Sequence, residues 1–167
     1  MSKAYIILGG NTGNRSENLQ QAMELIEKRA GSISGRSGIY VTAAWGNTEQ
    51  PDFYNEAICI DTELKAPELL ETLLNIEKEM GRTRGEKKWA ERTIDLDILF
   101  YNDDVILEPR LTIPHPYIQE RRFVLVPLAQ IAGTFVHPVL RKTIDQLLEE
   151  CADSSAVRPL KDLGFPD

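Results

Sequence analysis

Apolar positions along the chain change period several times, and each change marks an element. Tyr5-Ile6-Ile7-Leu8 is a short apolar run that stops at Gly9-Gly10-Asn11-Thr12-Gly13-Asn14, the pattern of a buried strand entering a turn. From Ser16 the period becomes helical, with Leu19, Ala22, Met23 and Ile26 at i, i+3, i+4 and i+7. Asn14 or Ser16 supplies the N-cap of this helix and Gly31 ends it. Residues 33–41 hold Ile33, Ile39, Tyr40 and Val41 around Gly35 and Gly38, which predicts a strand with a bulge or a close backbone approach at its glycines. The polar stretch 42–51 reads as a loop, and residues 54–62 alternate as a further strand.

A second helix is signalled by Pro67 at its start, Gly81 just past its end, and Leu69, Leu73, Ile76 and Met80 at i, i+4, i+7 and i+11. Residues 82–92 have no apolar period and carry Arg82, Arg84, Lys87, Lys88 and Arg92, so a basic loop is expected. Residues 93–101 then alternate strictly, with Ile94, Leu96, Ile98 and Phe100 on one face and Asp95, Asp97, Leu99 and Tyr101 on the other. Asn102-Asp103-Asp104 predicts a turn that returns the chain through Val105-Ile106-Leu107 as a hairpin. Residues 123–131 read as a helix started or kinked by Pro127. Thr143-Ile144-Asp145-Gln146 matches a capping box opening a last helix. The tail from Asp153 has no period and reads as loosely held. Strands and helices in this order do not alternate strictly, so the expectation is an α+β fold, a mainly antiparallel sheet with helices packed on one face. One domain covering residues 1–167 is expected.

Charge and composition narrow the function. The 167 residues carry a formal net charge of −7, which disfavours a nonspecific grip on nucleic acid or on an anionic membrane and confines any phosphate site to a local cluster. No apolar run reaches the roughly 18 residues of a membrane span, and the amino-terminal residues lack the apolar core of a signal peptide. A cytoplasmic protein with no nucleic-acid or membrane partner is therefore expected. Cys59 and Cys151 form no C-x-x-C pair and read as reduced packing thiols.

The local cluster that could take phosphate begins at Asp95-Leu96-Asp97. Residues two apart on a strand point the same way, so the two carboxylates converge. Two carboxylates about 5 Å apart repel by about 3 kcal/mol at an effective dielectric near 20, a cost that a divalent cation between them reverses. Oxygen-only donors favour magnesium or manganese. The same pattern also suits two solvated acids on an exposed strand face. The adjoining Arg82, Arg84, Lys87, Lys88 and Arg92 are equally open to two readings, a solvated loop or a polyphosphate clamp that closes over a metal-bound nucleotide. Side by side, the acids and the basic loop favour the phosphate reading.

Gly9 to Asn14 matches neither G-x-x-x-x-G-K-[ST] nor G-x-G-x-x-G, so P-loop and Rossmann nucleotide sites are disfavoured. His115, between Pro114 and Pro116 and upstream of Arg121 and Arg122, is read as a phosphate or ribose contact or as a turn residue. His137 is read as a turn residue. Trp45, Phe53, Trp89 and Phe123 lie in or beside loops, where aromatic side chains can hold a flat ring whose edge Asn55 could read.

The run Lys88-Trp89-Ala90-Glu91-Arg92-Thr93-Ile94-Asp95-Leu96-Asp97-Ile98-Leu99 resembles the signature of the 6-hydroxymethyl-7,8-dihydropterin pyrophosphokinase family. Ile7-Leu8-Gly9-Gly10-Asn11, Gln50-Pro51-Asp52-Phe53-Tyr54-Asn55, Gly81-Arg82-Thr83-Arg84, Pro114-His115-Pro116 and Arg121-Arg122-Phe123-Val124-Leu125 resemble further segments of the same family. The resemblance implies a ferredoxin-like fold and transfer of pyrophosphate from ATP to the hydroxymethyl group of the pterin, leaving AMP. It implies two magnesium ions held by Asp95 and Asp97, and Arg82 and Arg92 as catalytic residues beside them. It places Glu77, Arg84, Lys88, Trp89, Arg92, Ile98, Arg110, Thr112, His115 and Arg121 around ATP. It places Thr42, Ala43, Trp45, Phe53, Asn55, Trp89, Asp95 and Phe123 around the pterin. It also implies a monomer. The chain departs from the usual family pattern at Gly10, at Ala43-Ala44, at Phe53, where a tyrosine would carry a hydroxyl, and at Lys88, where arginine is commoner. A metal-dependent nucleotidyltransferase or phosphohydrolase, or a nucleotide-binding module without turnover, would use the same acids and arginines.

Overall fold

The computed structural model describes residues 1–43, 51–81 and 93–163. β1 (Ser2–Gly10) leads into α1 (Arg15–Arg29), followed by β2 (Ser32–Arg36), β3 (Tyr40–Thr42), β4 (Phe53–Thr62), α2 (Ala66–Glu79) and β5 (Asp95–Tyr101). Next come β6 (Ile106–Glu108), β7 (Leu111–Ile113), a 3-10 turn at Ile118–Glu120, α3 (Arg122–Ala132), α4 (Ile144–Glu150) and the two-residue β8 (Arg158–Pro159). The main sheet has the order β5-β1-β4-β3-β8, with β2 also paired to β4, and its pairings among the described residues are antiparallel. The order of the first five strands and two helices is ferredoxin-like, as expected from the α+β pattern.

Local chemistry explains the element ends. Asn14, rather than Ser16, caps α1, its side-chain oxygen accepting from the Glu17 amide at 3.2 Å. At the start of α2, Glu68 reaches back to accept from the Lys65 amide at 2.9 Å. The same helix stops where Gly81 turns to φ +117°, a conformation that L side chains rarely adopt. The capping box of α4 forms in both directions, with Gln146 accepting from the Thr143 amide at 2.8 Å and Thr143 accepting from the Gln146 amide at 3.1 Å.

Two apolar clusters lie on opposite sides of the sheet. Ala4, Ile6, Leu8, Ile58, Ile60, Leu96 and Ile98 meet α1 and α2. Ile7, Ala57, Leu99 and Phe100 meet Val124, Leu125 and Leu128 of α3 and Ile144 and Leu147 of α4. Helices therefore cover both faces, not one. The two crossover helices fill the first face, and the helices that follow β7 pack on part of the face left open.

Three further expectations change. The alternation along β5 is broken, because Ile6 faces Ile98 while Tyr5 faces Phe100, leaving Leu99 as an inserted residue. The bulge inverts the side-chain order, so Phe100 joins Leu99 under α3 and Tyr101 returns to the α1 and α2 side. Residues 33–41 are two strands, with extra residues at Ser34 and across 37–39, so the glycines do mark bulges. Ile106–Glu108 pairs with β7 and not with β5. Asn102, at φ 50°, instead closes the end of β1, donating to the Lys3 carbonyl at 2.7 Å and accepting from its amide at 2.9 Å.

The tail is also anchored. The Asp153 carboxylate accepts from the Ser155 hydroxyl at 2.6 Å and the Arg122 amide at 3.1 Å, and these bonds, Ser155 first, hold its pKa below the usual carboxylate value. Beyond it, β8 pairs with β3, and Leu160, only 1% exposed, donates to the Ile39 carbonyl at 2.9 Å. Cys59 and Cys151 are free thiols. No helix among the described residues is long and apolar enough to cross a membrane.

Candidate active site

The antiparallel register assembles the acids and the ring-binding candidates on one surface. Tyr40 stands opposite Asn55, Asn55 opposite Gly9, and Gly9 opposite Asp95. Directly opposed residues share a sheet face, so this row places Asn55 and Asp95 side by side with only a glycine between them. Strands lie about 4.8 Å apart, which separates the two backbones by about 10 Å. Asp97 and Ala57 flank Ile7 in the next row, while Phe53 faces Thr42 in the row beyond. This is the face that α3 covers, and α3 carries Phe123, half-buried, at its first turn.

Gly9 is required by a close approach. A Cβ there would meet the Asn55 side-chain oxygen at 2.6 Å, well inside van der Waals contact. Asn55 itself is 4% exposed, and its amide nitrogen donates to the Thr42 hydroxyl at 3.1 Å. The base of the segment leading to Phe53 is fastened by one side chain from the β1–α1 turn and one from the first residue of α1. Asn11 donates to the Pro51 carbonyl at 3.2 Å and Arg15 to the Asp52 carbonyl at 2.8 Å. Arg15 also lies 4.1 Å from the centre of the Tyr54 ring. Neither bond is signalled by the sequence pattern, because a side chain that holds a backbone carbonyl leaves no periodic signal.

Asp95 is half-buried and Asp97 exposed, between the buried Leu96 and Ile98. Among the described residues no group of three or more His, Cys, Asp or Glu side chains is placed to hold a metal by itself. A pair of carboxylates fits magnesium, which usually takes one or two carboxylates and completes its shell with phosphate oxygens and water. Glu77, 5% exposed on α2, accepts from the Leu96 amide at 2.7 Å. Its placement braces β5 between the two aspartates. The Ile98 side chain lies 6% exposed on the opposite face, in the cluster with α1 and α2.

The remaining nucleotide candidates lie along the outer edge of β5. Arg110 and Thr112 are exposed on the β6–β7 hairpin, with Arg110 4.0 Å from Glu71 of α2. His115 follows, its amide donating to the Leu99 carbonyl at 3.0 Å and its Nδ1 accepting from the Tyr117 amide at 3.2 Å. Arg121 stands 5.0 Å from the Tyr117 ring centre and 5.9 Å from that of Phe123, joining the edge to the α3 side. His137, by contrast, accepts through Nδ1 from the Val139 and Leu140 amides at 3.2 and 3.0 Å, the work of a turn residue. Ala43 is exposed at the limit of the described chain. Trp45, Arg82, Arg84, Lys88, Trp89 and Arg92, with the whole basic loop, lie outside the described residues.

Burial, and secondarily the Arg121 charge, lower the His115 pKa from 6.5 to about 4. The ring is neutral at pH 7, and with Nδ1 accepting, Nε2 carries the proton as a hydrogen-bond donor. An unfolded chain protonates this imidazole at its ordinary value and the folded chain only near pH 4. Stability is therefore full above pH 6.5 and is lost as the pH falls from there toward 4, with burial of His137 acting in the same direction. Titration of the ring by NMR is expected to give a His115 midpoint of about 4. A midpoint near 6.5 would contradict the buried placement.

The comparisons agree with one another. A family model described as 7,8-dihydro-6-hydroxymethylpterin-pyrophosphokinase matches residues 5–133. The chain is 47% identical over 158 residues to a 2-amino-4-hydroxy-6-hydroxymethyldihydropteridine pyrophosphokinase of Synechocystis sp., a match covering 94% of this chain and 80% of that one. It is 39% identical over 159 residues to the Haemophilus influenzae protein of the same description, covering 95% and 98%. Among solved structures it is similar to wild-type Plasmodium falciparum HPPK-DHPS, with a TM-score of 0.74 and 21% identity over 89% of this chain. It spans 44% of that longer chain, and at this identity the likeness is one of fold.

Proposed function

The chain belongs to the 7,8-dihydro-6-hydroxymethylpterin pyrophosphokinase family, and from that membership we propose that its site divides the two substrates between two surfaces. It is a 2-amino-4-hydroxy-6-hydroxymethyldihydropteridine pyrophosphokinase, a transferase of folate biosynthesis. The sheet face under α3 receives the pterin, and the outer edge of β5 receives ATP with its magnesium. Asp95 and Asp97 stand where the two surfaces meet. The observation that carries this reading is the row of Asn55, Gly9 and Asp95, which sets a buried amide in the same row as a carboxylate, with only the side-chain-free Gly9 between their backbones.

In the reaction the pterin hydroxymethyl oxygen attacks the β-phosphorus of ATP. The bond from that phosphorus to the bridging oxygen of the α-phosphate breaks, AMP leaves, and the alcohol proton is given up. Asn55 hydrogen-bonds the ring edge, while Phe53 and Phe123 hold its faces. With Thr42 occupying the Asn55 amide nitrogen, the asparagine is fixed before the ring arrives. Asp95 and Asp97 hold two magnesium ions, which when bound offset phosphate charge and favour loss of the alcohol proton. Arg82 and Arg92 face the transferring group, where charge shifts during transfer. Arg84, Lys88, Arg110, Thr112, His115 and Arg121 surround the nucleotide, His115 as a neutral donor, and Ile98 contributes through its backbone alone. Trp89 contributes to both the ATP and the pterin contacts, and backbone groups around Ala43 and Trp45 complete the pocket. Glu77 acts through β5, which it holds by the Leu96 amide.

Nucleotide products after incubation with Mg-ATP and 6-hydroxymethyl-7,8-dihydropterin test the reading, with controls lacking pterin or metal. AMP formed only with pterin, without free pyrophosphate, supports diphosphoryl transfer at this site. ADP, or AMP formed equally well without pterin, would leave a phosphate site and remove the pterin assignment.

A further inference from the structure

The interruption between β2 and β3 is stitched by side chains. Ser37 donates its amide to the Ala57 carbonyl at 2.8 Å, and the Ala57 amide donates to Ser37 Oγ at 2.9 Å, so a hydroxyl replaces a ladder carbonyl. The next amide, that of Gly38, donates to Gln130 Oε1 of α3 at 3.0 Å. The same oxygen accepts from the Tyr40 hydroxyl at 2.9 Å. One exposed glutamine thus takes two donors, one from the link that enters β3 and one from β3 itself, and the latter, Tyr40, stands directly opposite Asn55. Gln130 lies seven residues after Phe123 on α3. Seven residues are two turns, so the two side chains leave the same side of the helix about 10.5 Å apart along its axis.

Exposed hydrogen bonds add little to global stability, and Gln130 belongs to neither apolar cluster. What the pair of bonds does supply is a fixed distance between helix and strand. We propose that Gln130 is a positioning residue for the pterin half of the site: by clamping β3 to α3 through Tyr40 and Gly38 it sets the gap between Phe123 and the Thr42 and Asn55 edge. This rests on the reading above that the pterin ring occupies that gap.

Steady-state KM values for pterin and for ATP, measured separately on folded variants, test the clamp. Gln130→Leu removes the shared acceptor and is expected to raise the pterin KM about five- to tenfold, with the ATP KM and kcat within about twofold of the wild type. Tyr40→Phe removes one bond while keeping the ring, for a rise of about two- to threefold. Gln130→Glu still presents an oxygen that accepts both donors and is expected to stay within about twofold of the wild type. An unchanged pterin KM in Gln130→Leu, an equal rise in both KM values, or a Gln130→Glu enzyme as impaired as the leucine variant would each overturn the inference. Phe123→Ala separates the two levels of the argument. If it raises the pterin KM while Gln130→Leu does not, the clamp alone is wrong; if it leaves the pterin KM unchanged, the ring does not occupy this gap and the inference falls with that reading.

Discussion

Truncating Asp97 to alanine is expected to lower kcat by about a thousandfold or more while the protein stays folded. The side chain is exposed, and the core contacts of β5 at this point belong to Leu96 and Ile98. Nothing in the apolar core depends on the carboxylate. What disappears is one of the two carboxylates proposed to hold the metal, and among the described residues no group of three or more His, Cys, Asp or Glu side chains is placed to hold it instead. Asp97→Asn keeps the shape and removes the charge, and it is expected to fall nearly as far. Turnover measured beside a thermal denaturation curve decides the matter. A folded alanine variant within tenfold of wild-type turnover would show that Asp97 is an ordinary solvated acid.

Gly9→Ala is expected to be the second most damaging change, although it adds only a single methyl group. Its Cβ would lie 2.6 Å from the Asn55 side-chain oxygen. Asn55 is buried and tied to Thr42, so relief means either turning the amide away from the face proposed for the pterin or spreading β1 from β4. Displacement of a substrate-positioning group by about 1 Å can cost on the order of a hundredfold in activity, and overpacking of this kind costs about 1–3 kcal/mol of stability. The loss is expected mainly in kcat/KM for pterin, with ATP binding retained. A variant with normal pterin kinetics would show that Asn55 yields freely at this contact.

The parts of the fold that were legible are those whose signals are local. The apolar stripe of α1, the Pro67 and Gly81 boundaries of α2 and the Thr143 capping box depend on residues within a turn or two of one another, and each forms as read. The one-face pairing of Asp95 and Asp97 needs only the strand period up to the bulge. Beyond Ile98 the period misleads, because an inserted residue is invisible to alternation and is defined only by the partner strand. Asn102-Asp103-Asp104 does make a turn, but composition does not say which strand follows it home, and the hairpin forms around Pro109 and Arg110 instead. β8 has two residues and no period of its own; it exists through β3 and the buried Leu160. In the site, charge and aromatic content pointed to phosphate and ring binding. The resemblance named the individual contacts, and the supporting side chains Arg15 and Gln130 left no trace because their partners are distant in sequence.

β5 is the last strand on its side of the main sheet, and an uncovered last strand is a template on which a second chain can add its own. Here that side is already in use. The Leu96 amide is taken by Glu77 and the Leu99 carbonyl by the His115 amide. A strand from another molecule would have to strip away a buried carboxylate and the segment after β7 before it could pair. The contacts that hold the edge proposed for the nucleotide in shape therefore also guard it against edge-to-edge aggregation, and variants that loosen Glu77 are expected to lose solubility along with activity.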